Sequence, residues 1–515
     1  MRWAGRKSAM VGACAMIAAM VIAMAAPGSY VQAATSQTSA AGQTDTKAAA
    51  APAKKAAAVE LIEMAKSGSA ELAGAIRASF DEKDLRAGTA WSSHGADFFF
   101  ALEFVAPEAP VKPVGAADAS PLLRVDGKAG GWGTLSAMRT PTGNVAGPST
   151  YVTTLNNIKD TNVWYATAHF DPAGTVHSFD YWIYGKPLGG SQNLPVFTEL
   201  SYLQPGVPSG VLSEKITHAS KIYDGMKSEY EIYVPAEYDP KTPAALMVFQ
   251  DGIWYTDRDG QNPALNVIDN LIAQKKIPVM ICVFIKPGSV TDAPGTPTYT
   301  FVKAYSEKWG RTLDDSMRST LYDTVSDRYA RFLRDEILAD VGAKYNLRKD
   351  AYSRAITGLS SGGICSFNAA WQMPDQFSRV ISWIGSFASI QWKEDSATPD
   401  GGQDYPDKVL REAHRNIRVW LQDGANDMEN AKYGSWPLAN LRLANALKLK
   451  EYDFHFSFGT GSHSPAHGAA EFPAEMIWLW RDYDASKSEQ KYVIEESEKE
   501  KAPFRVGIVN RDFAP

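Results

Sequence analysis

Three residue types occur in an order that supports nucleophilic catalysis. Ser360 stands in GLSSGG (358–363), between the apolar run SRAIT (353–357) and the helix-compatible stretch ICSFNAAWQM (364–373). A Gly-x-Ser-x-Gly pentapeptide is short enough to arise by chance, so its setting decides its meaning. Strand before and helix after are the setting the motif requires. A sharp strand-to-helix turn strains the serine backbone, and glycines at 358 and 362 remove the Cβ atoms that would clash there. The following helix also presents free N–H groups and its positive dipole end.

A serine hydroxyl needs a base, and the base needs an acid to orient it. In this fold logic the order is serine, acid, histidine. DGANDMEN (423–430) follows the apolar run IRVWLQ and supplies the acid: Asp427 is the choice, and Asp423, nearer the strand end, is its rival. Three histidines follow. His455 lies inside the strand YDFHFSF, on the face opposite Phe454, Phe456 and Phe458, and reads as packed. His463 lies just past that strand in GTGSHSPAHG and is favoured as general base over His467 in the same loop. The His-x-x-x-His spacing could hold zinc on a helix, but Pro465 and the flanking glycines argue against a helix, and no acidic or thiol ligand cluster accompanies it. The chemistry needs neither metal nor organic cofactor. For the oxyanion, the N–H of Ser361 is paired with that of Ile253 or Trp254 in FQDGIWYTDRDG (249–260), where Gly252 permits close backbone approach. Trp254 and Tyr255 are candidates for lining the substrate pocket, with plain packing the alternative reading.

These residues must be held by elements. From about 206 to 484, buried-strand runs alternate with helices: ALMVFQ, ALNVIDNLIAQK, VMICVFI, RYARFLRDEILADVGAKY, SRAIT and onward. That rhythm indicates an α/β unit with a mainly parallel sheet covered on both faces. KITHASKIY and SEYEIYVP, ahead of it, read as two antiparallel strands. Between 87 and 205, short β-prone runs such as DFFFALEFV, NVWYATAHF and TVHSFDYWIYG alternate with turn clusters, which suggests a separate β-sandwich domain. Residues 59–86 have helical spacing and are expected to cap it. The stretch 485–515 reads as a charged, poorly periodic tail.

The 515-residue chain carries a net charge of −6, which disfavours a nucleic-acid partner. Residues 1–33 combine a basic start, an apolar stretch and a small-residue cleavage site at Val31-Gln32-Ala33, the pattern of a secretory signal. The expected location is therefore secreted or periplasmic, without stable membrane insertion after cleavage. Residues 34–58 are low-complexity Ala/Thr/Lys sequence and read as a flexible tether. Cys282 and Cys365 lie in apolar surroundings and read as small buried hydrophobes rather than a disulfide framework.

The segments EIYVPAEYDP, ALMVFQDGIWY, ITGLSSGGICSFNAAWQMPDQFSRVISWIGSF, VWLQDGANDMEN and GTGSHSPAHGAAEFPAEMIWLWRDY resemble the esterase D-like "putative esterase" family of α/β-hydrolases, which includes enterochelin esterases, feruloyl esterases and mycolyltransferases. By that resemblance Ser360 matches the nucleophile, Asp427 the acid and His463 the histidine. The family's Gly-Gly-His appears as Gly461-Ser462-His463. The resemblance implies an early-set, immunoglobulin-like β-domain that helps shape the substrate site. It also implies ester substrates, either carbohydrate-linked or phenolic, with trilactone siderophores and acyl transfer as alternatives. A carbohydrate-binding protein on a silent hydrolase scaffold is the rival of a different class, and the presence of all three positions counts against it.

Overall fold

The computed structural model describes residues 58–104, 111–114, 119–126, 139–140, 143–144, 151–170, 177–289, 317–391 and 401–504. The expected leader, and all but the last residue of the low-complexity stretch, lie outside them.

The run Asp97–Glu103 is apolar almost throughout because it is buried on both faces. Phe98, Phe100 and Leu102 face Leu123, Val125, Phe179 and Tyr181 in one cluster. The alternate residues Phe99 and Ala101 turn the other way, onto Leu61, Leu72, Ile76 and Leu85. The first cluster lies between two antiparallel sheets of four strands each. One holds Trp91–His94, Asp97–Glu103, Val163–His169 and Asn156–Asn157; the other holds Lys186–Leu194, His177–Ile183, Leu122–Asp126 and Tyr151–Thr154. The second cluster is covered by three helices, Ala58–Ser67, Leu72–Ser79 and Glu82–Ala87, where one helical segment was expected. Truncating Phe99, which has no exposed surface, would cost about 3–5 kcal/mol.

The C-terminal part is built on a nine-stranded sheet. Its strands are β1 (Val211–Leu212), β2 (Ile216–Ala219), β3 (Lys227–Val234), β4 (Ala245–Gln250), β5 (Met280–Ile285), β6 (Arg354–Leu359), β7 (Arg379–Trp383), β8 (Arg418–Asn426) and β9 (Asp453–Ser462). They lie in the order β1-β3-β5-β4-β6-β7-β8-β9, with β2 also paired to β3. The β5–β9 portion is parallel, and β3 joins it antiparallel. All six residues of β4 are buried, with Leu246 and Val248 in one core cluster and Ala245, Met247 and Phe249 in the other. An unbroken apolar run is the signature of a strand with both faces covered. Helices α1 (Ala264–Ala273) and α4 (Ala466–Leu479) pack on one face, and α2 (Ser361–Gln372) and α3 (Trp436–Leu449) on the other.

Parallel strands put their following loops on one edge, the usual place for a ligand in such sheets. The turns after β4, β6, β8 and β9 all meet there. Cys282 and Cys365 are free thiols buried in the sheet and in α2. The described part of the expected C-terminal tail is packed: Tyr492 and Ile494 are buried, and Tyr492 OH lies 3.0 Å from Ser378 Oγ. Isolated apolar residues among charges carry no periodicity, which is why the segment read as a loose tail.

Candidate active site

Ser360 is the hinge between β6 and α2. Its backbone has φ +58° and ψ −122°, a conformation that non-glycine residues adopt only where surrounding structure enforces it. The enforcement is visible. Ser360 N–H donates to the Trp383 carbonyl at 2.9 Å, and the Ser360 carbonyl accepts from Gly363, Ile364 and Ser386 N–H. A Cβ on Gly358 would stand 2.4 Å from the Gly362 carbonyl oxygen, so the turn closes only with glycine there.

The Ser360 hydroxyl faces His463. Their Oγ and Nε2 are 2.8 Å apart, and His463 Nδ1 lies 2.5 Å from Asp427 Oδ1. Asp427 Oδ1 also accepts the Met428 N–H at 2.5 Å, and the Asp427 N–H donates to the Gly424 carbonyl at 3.1 Å. Asp427 follows β8 directly and is buried, whereas the His463 side chain remains 21% exposed and open to a ligand. Burial pushes the His463 imidazole down to about 4, the charge of Asp423 opposing and the Arg318 guanidinium adding to the fall, so Nε2 is unprotonated and free to accept at neutral pH.

Asp423 lies within β8, fully buried, where its Oδ1 accepts the Gly424 N–H at 2.7 Å. Burial, and then the charge of Asp427, push its carboxyl well above the usual range. Burial raises Asp427 as well, to about 7, while hydrogen bonds from Asp423 and from Met428 N–H oppose the rise. Of the two, Asp423 is the carboxyl pushed further up. The structure therefore brings Asp427, rather than Asp423, to the histidine.

His467 is elsewhere. It lies in α4, with Nδ1 3.0 Å from Gln422 Nε2 and Nε2 3.1 Å from Glu471 Oε1. The expectation that Pro465 excludes a helix here is corrected: Pro465 caps α4, a position where its missing N–H costs nothing. The two rings still face different partners and do not converge on a common point. His455 stacks on Trp420 with centroids 4.0 Å apart, in the packing role expected of it.

Beyond β4 the chain makes a short 3₁₀ turn, Gly252–Trp254, entered through Asp251 at φ +54°. Trp254 N–H donates to the Asp251 carbonyl at 3.1 Å, so it is already engaged within the turn. Ile253 and Trp254 are exposed at 54% and 49%. Tyr255, expected to line the pocket, instead points inward: it is fully buried against Phe249 and Trp383. A 3₁₀ turn of three residues rotates each side chain by about a third of a circle from the last, which separates neighbours between solvent and core.

Sequence reasoning missed several residues around this centre. Arg318 grips Asp251 with Nε at 3.0 Å and Nη2 at 2.6 Å, and Nη2 also reaches the Leu359 carbonyl at 3.3 Å. That pairing holds the left-handed Asp251 and ties the 3₁₀ turn to the serine turn. Ser386 Oγ is 3.3 Å from Ser360 Oγ and accepts the Trp436 indole N–H at 3.0 Å. The signal available for Ser386 was its place just past the end of β7; Arg318 had none.

Residues 224–479 match the family model described as Putative esterase. Among solved structures the chain is similar to enterobactin esterase from Shigella flexneri, at 14% identity over 77% of this chain and 97% of that one, TM-score 0.45. It is also similar to a ferulic acid esterase from Anaeromyces mucronatus, at 18% identity over 54% of this chain and 93% of that one, TM-score 0.39.

Proposed function

With residues 224–479 belonging to the Putative esterase family, we propose that the protein is an exported serine carboxylic-ester hydrolase. Ser360 is the nucleophile, His463 the general base and Asp427 the acid that orients it. The observation that carries this reading is the position of His463, which bridges Ser360 Oγ at 2.8 Å and Asp427 Oδ1 at 2.5 Å.

The reaction follows from that geometry. Ser360 Oγ attacks the ester carbonyl carbon while its proton passes to His463 Nε2. Asp427 holds the ring with Nδ1–H toward itself and stabilises the imidazolium. The N–H groups of Ser361 and Ile253 receive the negative oxygen; losing one such donor costs about 2.7–4 kcal/mol of transition-state stabilisation. His463 then protonates the leaving alcohol, and an acyl-Ser360 remains. Water, deprotonated by the same imidazole, attacks this acyl-enzyme, releases the acid and restores the serine.

The substrates are phenolic or carbohydrate-linked esters. The half-exposed indole of Trp254 beside the oxyanion turn supports this class, since it offers a flat apolar face to an aromatic or sugar ring. The two four-stranded sheets are an early-set, immunoglobulin-like domain, and residues 1–33 direct export. Replacing Ser360 with Ala abolishes turnover of a short p-nitrophenyl ester; retained activity removes the assignment. A panel of methyl ferulate, acetylated xylan and a catecholate siderophore identifies the acyl and alcohol parts. Fractionation of the producing cells tests export.

A further inference from the structure

Asn193 belongs to the N-terminal sheets, yet both polar ends of its side chain engage the loop that carries His463. Its Oδ1 accepts the Ser462 N–H at 3.0 Å, and its Nδ2 donates to Ser462 Oγ at 2.7 Å. The strand Lys186–Leu194 is shaped for this reach. Its pairing with His177–Ile183 slips between Ser191 and Leu194, and Asn193 has φ +62°. A bulge of this kind re-aims one side chain off the regular pleat, and asparagine is among the residues that tolerate the left-handed region.

The receiving residue is equally particular. Ser462 ends β9, the edge strand of the nine-stranded sheet, and directly precedes His463. The outer side of an edge strand has no neighbouring strand to take its N–H groups, and here Asn193 does so. Ser462 also stands where the resembled family has glycine. A glycine would keep the N–H bond but would have no hydroxyl for Asn193 Nδ2, so the departure from the family pattern coincides with the contact.

We propose that Asn193 is a positioning residue for the general base: by clasping Ser462 from the β-sandwich, it holds the His463 ring on the line between Asp427 and Ser360. This rests on the triad reading above. A displacement of about 1 Å in such a relay costs on the order of a hundredfold in rate, so a clasp one residue from the imidazole reaches the chemistry.

The test uses the full chain with Asn193→Gly, which permits the positive φ without the side chain, and Asn193→Asp, which keeps the Oδ1 acceptor. Hydrolysis of a p-nitrophenyl ester and the melting temperature are measured for each, together with the downfield proton resonance of His463 Nδ1–H. Asn193→Gly is expected to lower kcat about 10- to 100-fold, with KM within about twofold and the resonance shifted or broadened. Asn193→Asp is expected to recover part of the kcat. An unchanged kcat and resonance in Asn193→Gly overturns the proposal, as does a loss of activity that follows melting and is not recovered by Asp. If the unaltered chain hydrolyses no ester, or Ser360→Ala still does, the esterase reading fails instead, and the resonance alone decides the role of Asn193.

Discussion

Two histidine–carboxylate pairs stand four residues apart in this chain and occupy different worlds. His463 meets Asp427 at 2.5 Å on the loop after β9, with a serine hydroxyl at its far nitrogen. His467 lies 3.1 Å from Glu471 inside α4, and its far nitrogen meets the Gln422 amide. The side chain of the first is 21% exposed and that of the second 2%. Beside the second pair, the fully buried Glu475 takes the Trp383 indole N–H at 2.7 Å. The residue types are nearly the same. What differs is the element that carries them past the end of β9: a loop can offer a base to a ligand, whereas His467, two residues into α4, is buried against Gln422 and Glu471.

The sharpest way to break this comparison is to remove one histidine at a time. His463→Ala, like Ser360→Ala, should lower kcat on a short ester by about six orders of magnitude. His467→Gln should leave it within about threefold; an equal loss would mean that the two pairs act together. Next come the carboxylates. Asp427→Asn should reduce kcat by roughly 10⁴, since an amide favours the wrong imidazole tautomer. Asp423→Asn should cost less than about tenfold, because its Oδ1 contact with the Gly424 N–H can be kept by an amide oxygen and His463 pairs with Asp427 instead. A reversal of these two would transfer the acid role to Asp423.

A smaller effect is expected in the pH profile. Burial depresses the His463 pKa from its ordinary 6.5 to about 4, and the reaction needs the neutral ring. The acid limb of kcat/KM should therefore fall below pH 6.5. The smallest effect concerns the buried carboxyl beside the second pair. Burial raises Glu475 well above the usual range. Below the unfolded-state pKa both states are protonated; above it the unfolded chain loses a proton that the folded chain retains. Stability should therefore decline as pH rises from about 4 toward the folded-state value. Urea melts at pH 5 and pH 8 should show that decline in the unaltered chain and a flatter dependence in Glu475→Gln, by on the order of 1–3 kcal/mol.

The serine turn was legible because its cause is local: two glycines, a strand before and a helix after all lie within 20 residues. The acid and the histidine were legible through their order and through their places beyond strand ends. Distant pairs were not. Arg318 and Asp251 are 67 positions apart, and Asn193 and Ser462 are 269 apart, so no spacing rule links them. Tyr255 was misread because adjacency to Trp254 suggested a shared surface, and the 3₁₀ turn divided them. Pro465 was misread because a proline that ends one helix can equally begin another.

Tyr492 lies over Arg379 at 5.4 Å and over Arg418 at 4.8 Å, two buried guanidiniums at the starting ends of β7 and β8. A ribosome makes these arginines 113 and 74 residues before the ring that covers them. The ring reaches them from a segment outside the sheet, so residues far apart in the sequence share the burial of two cations.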